Sequence, residues 1–277
     1  MKSILIPVED HAGMNAVLET ALLFAENFGS YMEGAALGPD LAEMVAADFS
    51  LGGVVFDERT RRELLDVAYL KFESFMRAHA VKRYDEGSDM PSFGWFGDTL
   101  TSDNGIGEYG RVFDLIAVGR PGGGLNHARK ATLEAALFES GRPLLIAPLH
   151  APAKLGECVV IAWNGSSETA RTVAFAMPLL LAAADVPIIM IPGTRIPGPS
   201  DEQLAKNLRR YGVRARTVPV SDPSRPQGTA VLETAAALGA DLLIKGGYTQ
   251  SRLRQLIFGS ATGQILAEAN LPIFMAH

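Results

Sequence analysis

The stretch DLLIKGG (241–247) has a counterpart in DLIAVGR (114–120). In both, an acidic residue precedes a short apolar run that closes on glycine. Two further pairs keep the same order along the chain. SILIPVED (3–10) resembles CVVIAWNG (158–165), and GRPLLIAP (141–148) resembles NLPIFMAH (270–277). Three matched pairs in one order make an internal repeat, in which the first copy carries the longer insertions. The joint falls in PLHAPAKLGE (148–157), whose prolines and small residues read as a linker. The chain thus divides into residues 1–150 and residues 155–277.

Within each half, strand patterns alternate with helix patterns. In the second half, strands are expected at 159–163, 186–191, 214–220, 241–245 and 272–276. Val and Ile dominate several of these runs, as in strands buried on both faces. Ser166 is placed to cap the following helix, with Glu168 in its first turn, and Pro178 should kink that helix rather than start a new element. A helix over 201–211 has Ser200 as its cap, Leu204 and Leu208 one turn apart, and Gly212 as its stop. In the first half, 57–81 places Leu64, Ala68, Phe72 and Phe75 on one stripe, the pattern of a long amphipathic helix. Such alternation gives a doubly wound α/β fold with a parallel sheet in each half. Two similar domains, with separate sheets and an approximate twofold between them, are expected.

Composition narrows the function classes. The chain has 277 residues, 48% of them hydrophobic and 20% charged, which suits folded domains rather than disorder. Its net charge of −6 argues against nucleic acid and against an anionic membrane surface as partners. No apolar run approaches a membrane span, and MKSILIPVED is too short an apolar start for a signal peptide. The single cysteine, Cys158, excludes an internal disulfide and lies in an apolar run as a buried, inert thiol. A cytoplasmic protein is expected.

In doubly wound sheets, ligands sit beyond the carboxyl ends of the strands. Two loops of the second half fall there: AWNGSSE (162–168) and GGYTQSRLRQLIFGSAT (246–262). Gly246 would let the backbone approach a ligand. Gly259 and Ser260 would place free N–H groups and a helix dipole where a phosphate could sit, with the Ser260 and Thr262 hydroxyls as added donors. The competing reading makes Gly246 and Gly259 ordinary turn glycines, and spacing alone does not separate the two.

The sequence resembles a tandem universal stress protein over essentially its whole length. The resemblance is carried by ILIPVED, DLIAVGRPGGG, LFESGRPLLIAP, VVIAWNGSSETARTVAFAMPLL, ADLLIKGGYTQSRLRQLIFGSAT and LPIFMAH. It implies a five-stranded parallel sheet per half with helices on both faces, and ATP or another adenine nucleotide as ligand where the loop G-x2-G-x9-G-[ST] is present. In the second half Gly246, Gly259 and Ser260 match that loop, Ala261 and Thr262 match the small residues after it, and Thr249 stands where the second glycine belongs. Asn164 replaces the family's aspartate at the end of the first strand. The resemblance so marks Ala162, Trp163, Asn164, Lys245, Gly246, Tyr248, Thr249, Gly259, Ser260, Ala261 and Thr262 as nucleotide contacts. In the first half Glu9, Gly119 and Gly122 match, but the closing Gly-[ST] falls on Thr132 and Leu133. That half reads as the degenerate copy and is expected to stay empty. The resemblance also implies a homo-oligomer, a dimer.

Thr249 is stiff at χ1 and rarely takes φ > 0, which would weaken binding by roughly tenfold to a hundredfold if the loop needs a glycine there. Arg252 or Arg254 could offset part of that against a phosphate, although a solvated helix face is the simpler role for both. No catalytic set, Walker loop, CxxC or HExxH is present. EDH (9–11) could touch a metal, but an ordinary loop accounts for it better, and core packing accounts for Trp95 and Trp163 better than base stacking. The sequence therefore points to a stress-response binding or regulatory protein. A slow nucleotide hydrolase and a scaffold with a decayed ligand site are the alternatives.

Overall fold

The computed structural model describes residues 1–39, 57–85, 90–122, 127–190, 196–220, 222, 224–247 and 261–277. Among these, the strands are β1 (Ser3–Val8), β2 (Tyr31–Ala36), β3 (Lys82–Arg83), β4 (Ser92–Trp95), β5 (Leu115–Gly119), β6 (Leu144–Ala147), β7 (Val159–Ala162), β8 (Val186–Ile189), β9 (Ala215–Val218), β10 (Leu242–Gly246) and β11 (Ile273–Ala276). The helices between them are α1 (Met14–Phe28), α2 (Glu58–Ala78), α3 (Asp103–Tyr109), α4 (Lys130–Glu139), α5 (Ser167–Phe175), α6 (Met177–Ala182), α7 (Asp201–Arg210), α8 (Gln227–Ala237) and α9 (Ala261–Glu268).

The strands run in the order β3-β4-β2-β1-β5-β6-β11-β10-β7-β8-β9. From the centre outward each half follows the same winding, and the first half adds the two-residue β3 at its edge. Neighbours are parallel within each half, whereas β6 and β11 pair antiparallel, Leu145 opposite Phe274. The halves are thus related by an approximate twofold at this seam. The expectation of two separate sheets is corrected here: the sheet is continuous. The reason is that β6 and β11 are the last strand of each copy and are buried along their whole length. Left unpaired, such an apolar edge would expose a row of N–H and C=O groups; pairing it with its own counterpart satisfies both.

Helices cover both faces, and each core layer runs across the seam. One holds residues of α1, α2, α5 and α7 with Leu145 and Phe274. The other holds residues of α3, α4, α8 and α9 with Ile146 and Met275. The repeated aspartates brace the two copies in the same way. Asp114 Oδ2 accepts from the Lys2 N–H (2.5 Å) and the Ser3 N–H (3.3 Å). Asp241 accepts from the N–H groups of Gly156 (2.8 Å), Glu157 (3.0 Å) and Cys158 (3.3 Å). Each carboxylate ties down the backbone that enters the first strand of its half, so the expected linker is anchored at its end. Cys158 is only half-buried; its thiol lies 3.5 Å from the Leu238 carbonyl, and burial pushes it up from its ordinary pKa.

Several local expectations need adjusting. Ser166 and Ser200 cap α5 and α7 as expected, the latter in a capping box with Gln203, and Gly212 follows α7 at φ +86°. Pro178, however, does open a new element: α5 ends at Phe175 and α6 starts at Met177 with the proline in its first turn, the place where a missing N–H costs no helical bond. In α2, Phe72 and Met76 are buried, but Leu64 is 38% exposed, so the inward stripe holds only for the second part of the helix.

Candidate functional site

Because polarity reverses at the seam, the carboxyl ends of the two sets of strands open at opposite ends of the sheet. The two candidate crevices are therefore separate.

In the second half β7 and β10 are neighbours, with Ala162 opposite Lys245. The chain leaving β7 makes a tight turn. Asn164 Oδ1 accepts from the Ser166 N–H (3.1 Å) and from the Thr169 hydroxyl (2.8 Å). Gly165 sits at φ +83°, where a side chain would be strained and would also meet the Ile196 carbonyl at 3.0 Å. The Asn164 side-chain amide oxygen thus holds the start of α5. Trp163 is 4% exposed, and its Nε1–H donates to the Pro199 carbonyl (2.9 Å). It packs in the core, as does Trp95 against Phe72 and Tyr69.

Gly246 has a packing reason to be glycine. A Cβ there would lie 2.5 Å from the Thr169 backbone nitrogen and 2.8 Å from the Glu168 carbonyl carbon. The first turn of α5 presses on the end of β10, and only a bare Cα leaves room. Beside it, Lys245 turns to the opposite face of the strand. Its ammonium donates to Thr262 Oγ1 (2.8 Å) and to the Gly246 carbonyl (3.0 Å), and burial pushes it down to about 8. No carboxylate pairs with it among the described residues. Ala261 and Thr262 form the start of α9, with Thr262 buried. Leu137 of α4, from the first half, closes the flank at Gly247. Tyr248, Thr249, Arg252, Arg254, Gly259 and Ser260 lie outside the described residues.

The matching place in the first half is filled from within. A Cβ on Gly119 would lie 2.7 Å from Ala128 Cβ and 3.1 Å from His11 Cε1, and one on Gly122 would strike the His127 ring. Glu9, buried and raised above its ordinary pKa chiefly by that burial, accepts from the Arg129 N–H (3.0 Å). The Arg129 side chain lies 3.7 Å from Glu9 and 3.8 Å from Asp103, whose other oxygen accepts from Thr132 Oγ1 (2.5 Å). His11 accepts from the Gly13 N–H and is pushed down to about 4, mainly by burial, next by the Lys71 charge. No group of His, Cys, Asp and Glu suited to a metal occurs among the described residues, His11 included.

A cleft of about 920 Å³ that no sequence feature marks lies beside this plug. It opens past the ends of β2 and β4, between Gly38, Thr101, Asp103, Arg61, Arg62 and Arg129. Its lining comes from four stretches far apart in the chain, so no local motif marks it. Lys245, by contrast, is legible: a cation at the end of an apolar strand is out of pattern.

Solved structures were compared with this architecture. A universal stress protein from Archaeoglobus fulgidus DSM 4304 superposes with a TM-score of 0.70, covering 99% of this chain and 95% of its own, at 14% identity. The chain has the fold of tandem universal stress proteins. Two structures from Pseudomonas aeruginosa give TM-scores of 0.54, one a candidate universal stress protein from strain UCBPP-PA14 (15% identity, 100% and 93% covered). The other, from strain PAO1, is of unknown function (14% identity, 100% and 92% covered). No family model and no curated protein matches the sequence. No helix among the described residues is long and apolar enough to cross a membrane.

Proposed function

We propose that the protein is a ligand-binding regulator of the stress-response type, with ATP or another adenine nucleotide as ligand in the second half. The observation that supports this is the contrast between two equivalent places. In the first half, Glu9, Arg129 and Asp103 satisfy one another and His11 covers Gly119. In the second, the Lys245 ammonium stands by Thr262 at the head of α9 with no described carboxylate to balance it. An uncompensated cation beside a helix N-terminus favours an anion. On this reading the adenosine part lies toward Ala162 and Asn164, and the phosphates toward Lys245, Gly246, Gly259, Ser260, Ala261 and Thr262.

The test is chromatography of the extract from denatured purified protein, then isothermal titration with ATP on wild type, Thr249→Gly, Ser260→Ala and Lys245→Met. Wild type should bind weakly, Thr249→Gly more tightly, and the other two more weakly. Tight wild-type binding left unchanged by Thr249→Gly would show that Thr249 already fits the loop. No binding by any variant favours the scaffold reading. Turnover of ATP above a Ser260→Ala background favours the hydrolase.

A further inference from the structure

Helix α2 carries apolar side chains on a face that the core does not use. Phe72 and Met76 point into the core. Val67 and Leu70 lie on the outer side, 56% and 58% exposed, and Leu64 beside them is 38% exposed. Their spacing of three residues aligns them in one stripe. Single apolar residues on a surface are ordinary; three in one stripe of one helix mark a contact face. The helices that cover the same layer differ. α1 exposes Asn15, Glu19 and Glu26, and α7, the counterpart of α2 in the second half, exposes Glu202, Gln203, Lys206 and Asn207. Covering the sheet therefore does not call for an apolar outer stripe.

We propose that α2 is a self-association surface, on which the α2 of a second copy packs antiparallel about a twofold axis through Val67. The charges select this partner. With Val67 on the axis, each residue meets the one equally far along the helix on the other side. Leu64 faces the partner's Leu70, and Thr60 faces the partner's Ser74. Glu63 then faces the partner's Lys71, and Asp57 the partner's Arg77, each pair made twice by symmetry. No like charges meet in these pairs. A parallel pairing would set Glu63 against Glu63 and Lys71 against Lys71, so the charges also fix the direction. The present partners leave these groups available. Glu63 bonds Arg59 (2.8 Å) and Arg77 bonds Glu73 (3.0 Å) within the helix, and Lys71 donates to the exposed Asp10 (3.1 Å), surface pairs that contribute little. Burial of the stripe supplies the attraction, and the ion pairs supply the register. One helix pair is a small interface, so association on the order of micromolar is expected. The proposal does not depend on which ligand the protein binds.

The test is sedimentation velocity on the full chain from about 1 to about 100 μM, which should show a monomer–dimer equilibrium. Val67→Asp sets two carboxylates on the axis and should weaken dimerisation by at least about tenfold, without lowering the thermal midpoint of the monomer. Glu63→Lys should weaken it as well, and adding Lys71→Glu should restore it, a rescue that only facing charges give. On oxidation, Val67→Cys should link two copies, whereas Val112→Cys, at a position 72% exposed on another element, should not. A monomer at every concentration overturns the proposal, and so does a dimer indifferent to Val67→Asp. A Glu63→Lys defect that Lys71→Glu leaves unrepaired overturns the antiparallel pairing. A monomer whose midpoint falls in Val67→Asp means that the chain's own residues cover the stripe, and it overturns the proposal too.

Discussion

Replacing Gly246 with alanine separates two reasons for that glycine. The new Cβ would sit 2.5 Å from the Thr169 nitrogen, 2.6 Å from Thr169 Oγ1 and 2.8 Å from the Glu168 carbonyl carbon. Ordinary contact needs about 3.4 Å or more, so the first turn of α5 would have to retreat by nearly 1 Å. That turn is pinned. Ser166 caps it, Asn164 Oδ1 holds Ser166 and Thr169, and the Thr172 hydroxyl lies 3.2 Å from the Ala276 carbonyl. The obstacle is backbone, which cannot swing aside as a side-chain tip can. Overpacking costs typically 1–3 kcal/mol, and a pinned backbone belongs near the top of that range, about 2–3 kcal/mol. Thermal unfolding should then fall by about 5–10 °C. Urea titration of the same variant should show a lower midpoint at unchanged slope. An unchanged midpoint, with ATP binding lost in the titration, would refute the packing argument and return Gly246 to the ligand.

The seam predicts shared unfolding: amide exchange at Leu144–Ala147 and Ile273–Ala276 should be as slow as in the flanking strands, and Phe274→Ala should cost about 3–5 kcal/mol by urea titration. Two well-separated melting transitions would contradict it. His11 is held near 4 in the folded chain against 6.5 unfolded, so the unfolded chain binds the extra proton first, and its contribution, fully present above about 6.5, is lost as pH falls toward 4. His11→Gln should flatten the drop in melting temperature between pH 7 and pH 4.5. Lys245 acts with the same sign in a higher window: between about 8 and 10.5 the unfolded chain holds more protons, so stability should rise with pH there in wild type and less in Lys245→Met. Ser200→Ala, which removes the α7 capping box, should cost about 1 kcal/mol by urea titration, and no change would mean that Gln203 alone holds that turn.

The repeat and the winding of each half were legible in the sequence. Each is written in local terms: apolar runs of strand length, caps at Ser166 and Ser200, a stop at Gly212. The repeated aspartates announced themselves too, since Asp114 and Asp241 each brace the entry to a first strand. The candidate site was legible only as far as its motif. Lys245, Gly246 and Thr262 do gather at one strand end, yet their roles were not readable. Whether a glycine faces a ligand or a neighbouring helix depends on what stands 2.5 Å from it, and Thr169 reaches Gly246 from 77 residues away in the chain. Asn164 likewise turned to its own helix because two donors lay within its reach. The continuous sheet, the plug of His11 over Gly119 and the cleft by Arg129 were decided by tertiary structure alone. Each joins residues distant in sequence, through contacts that exist only once burial has brought strand ends and helix starts together.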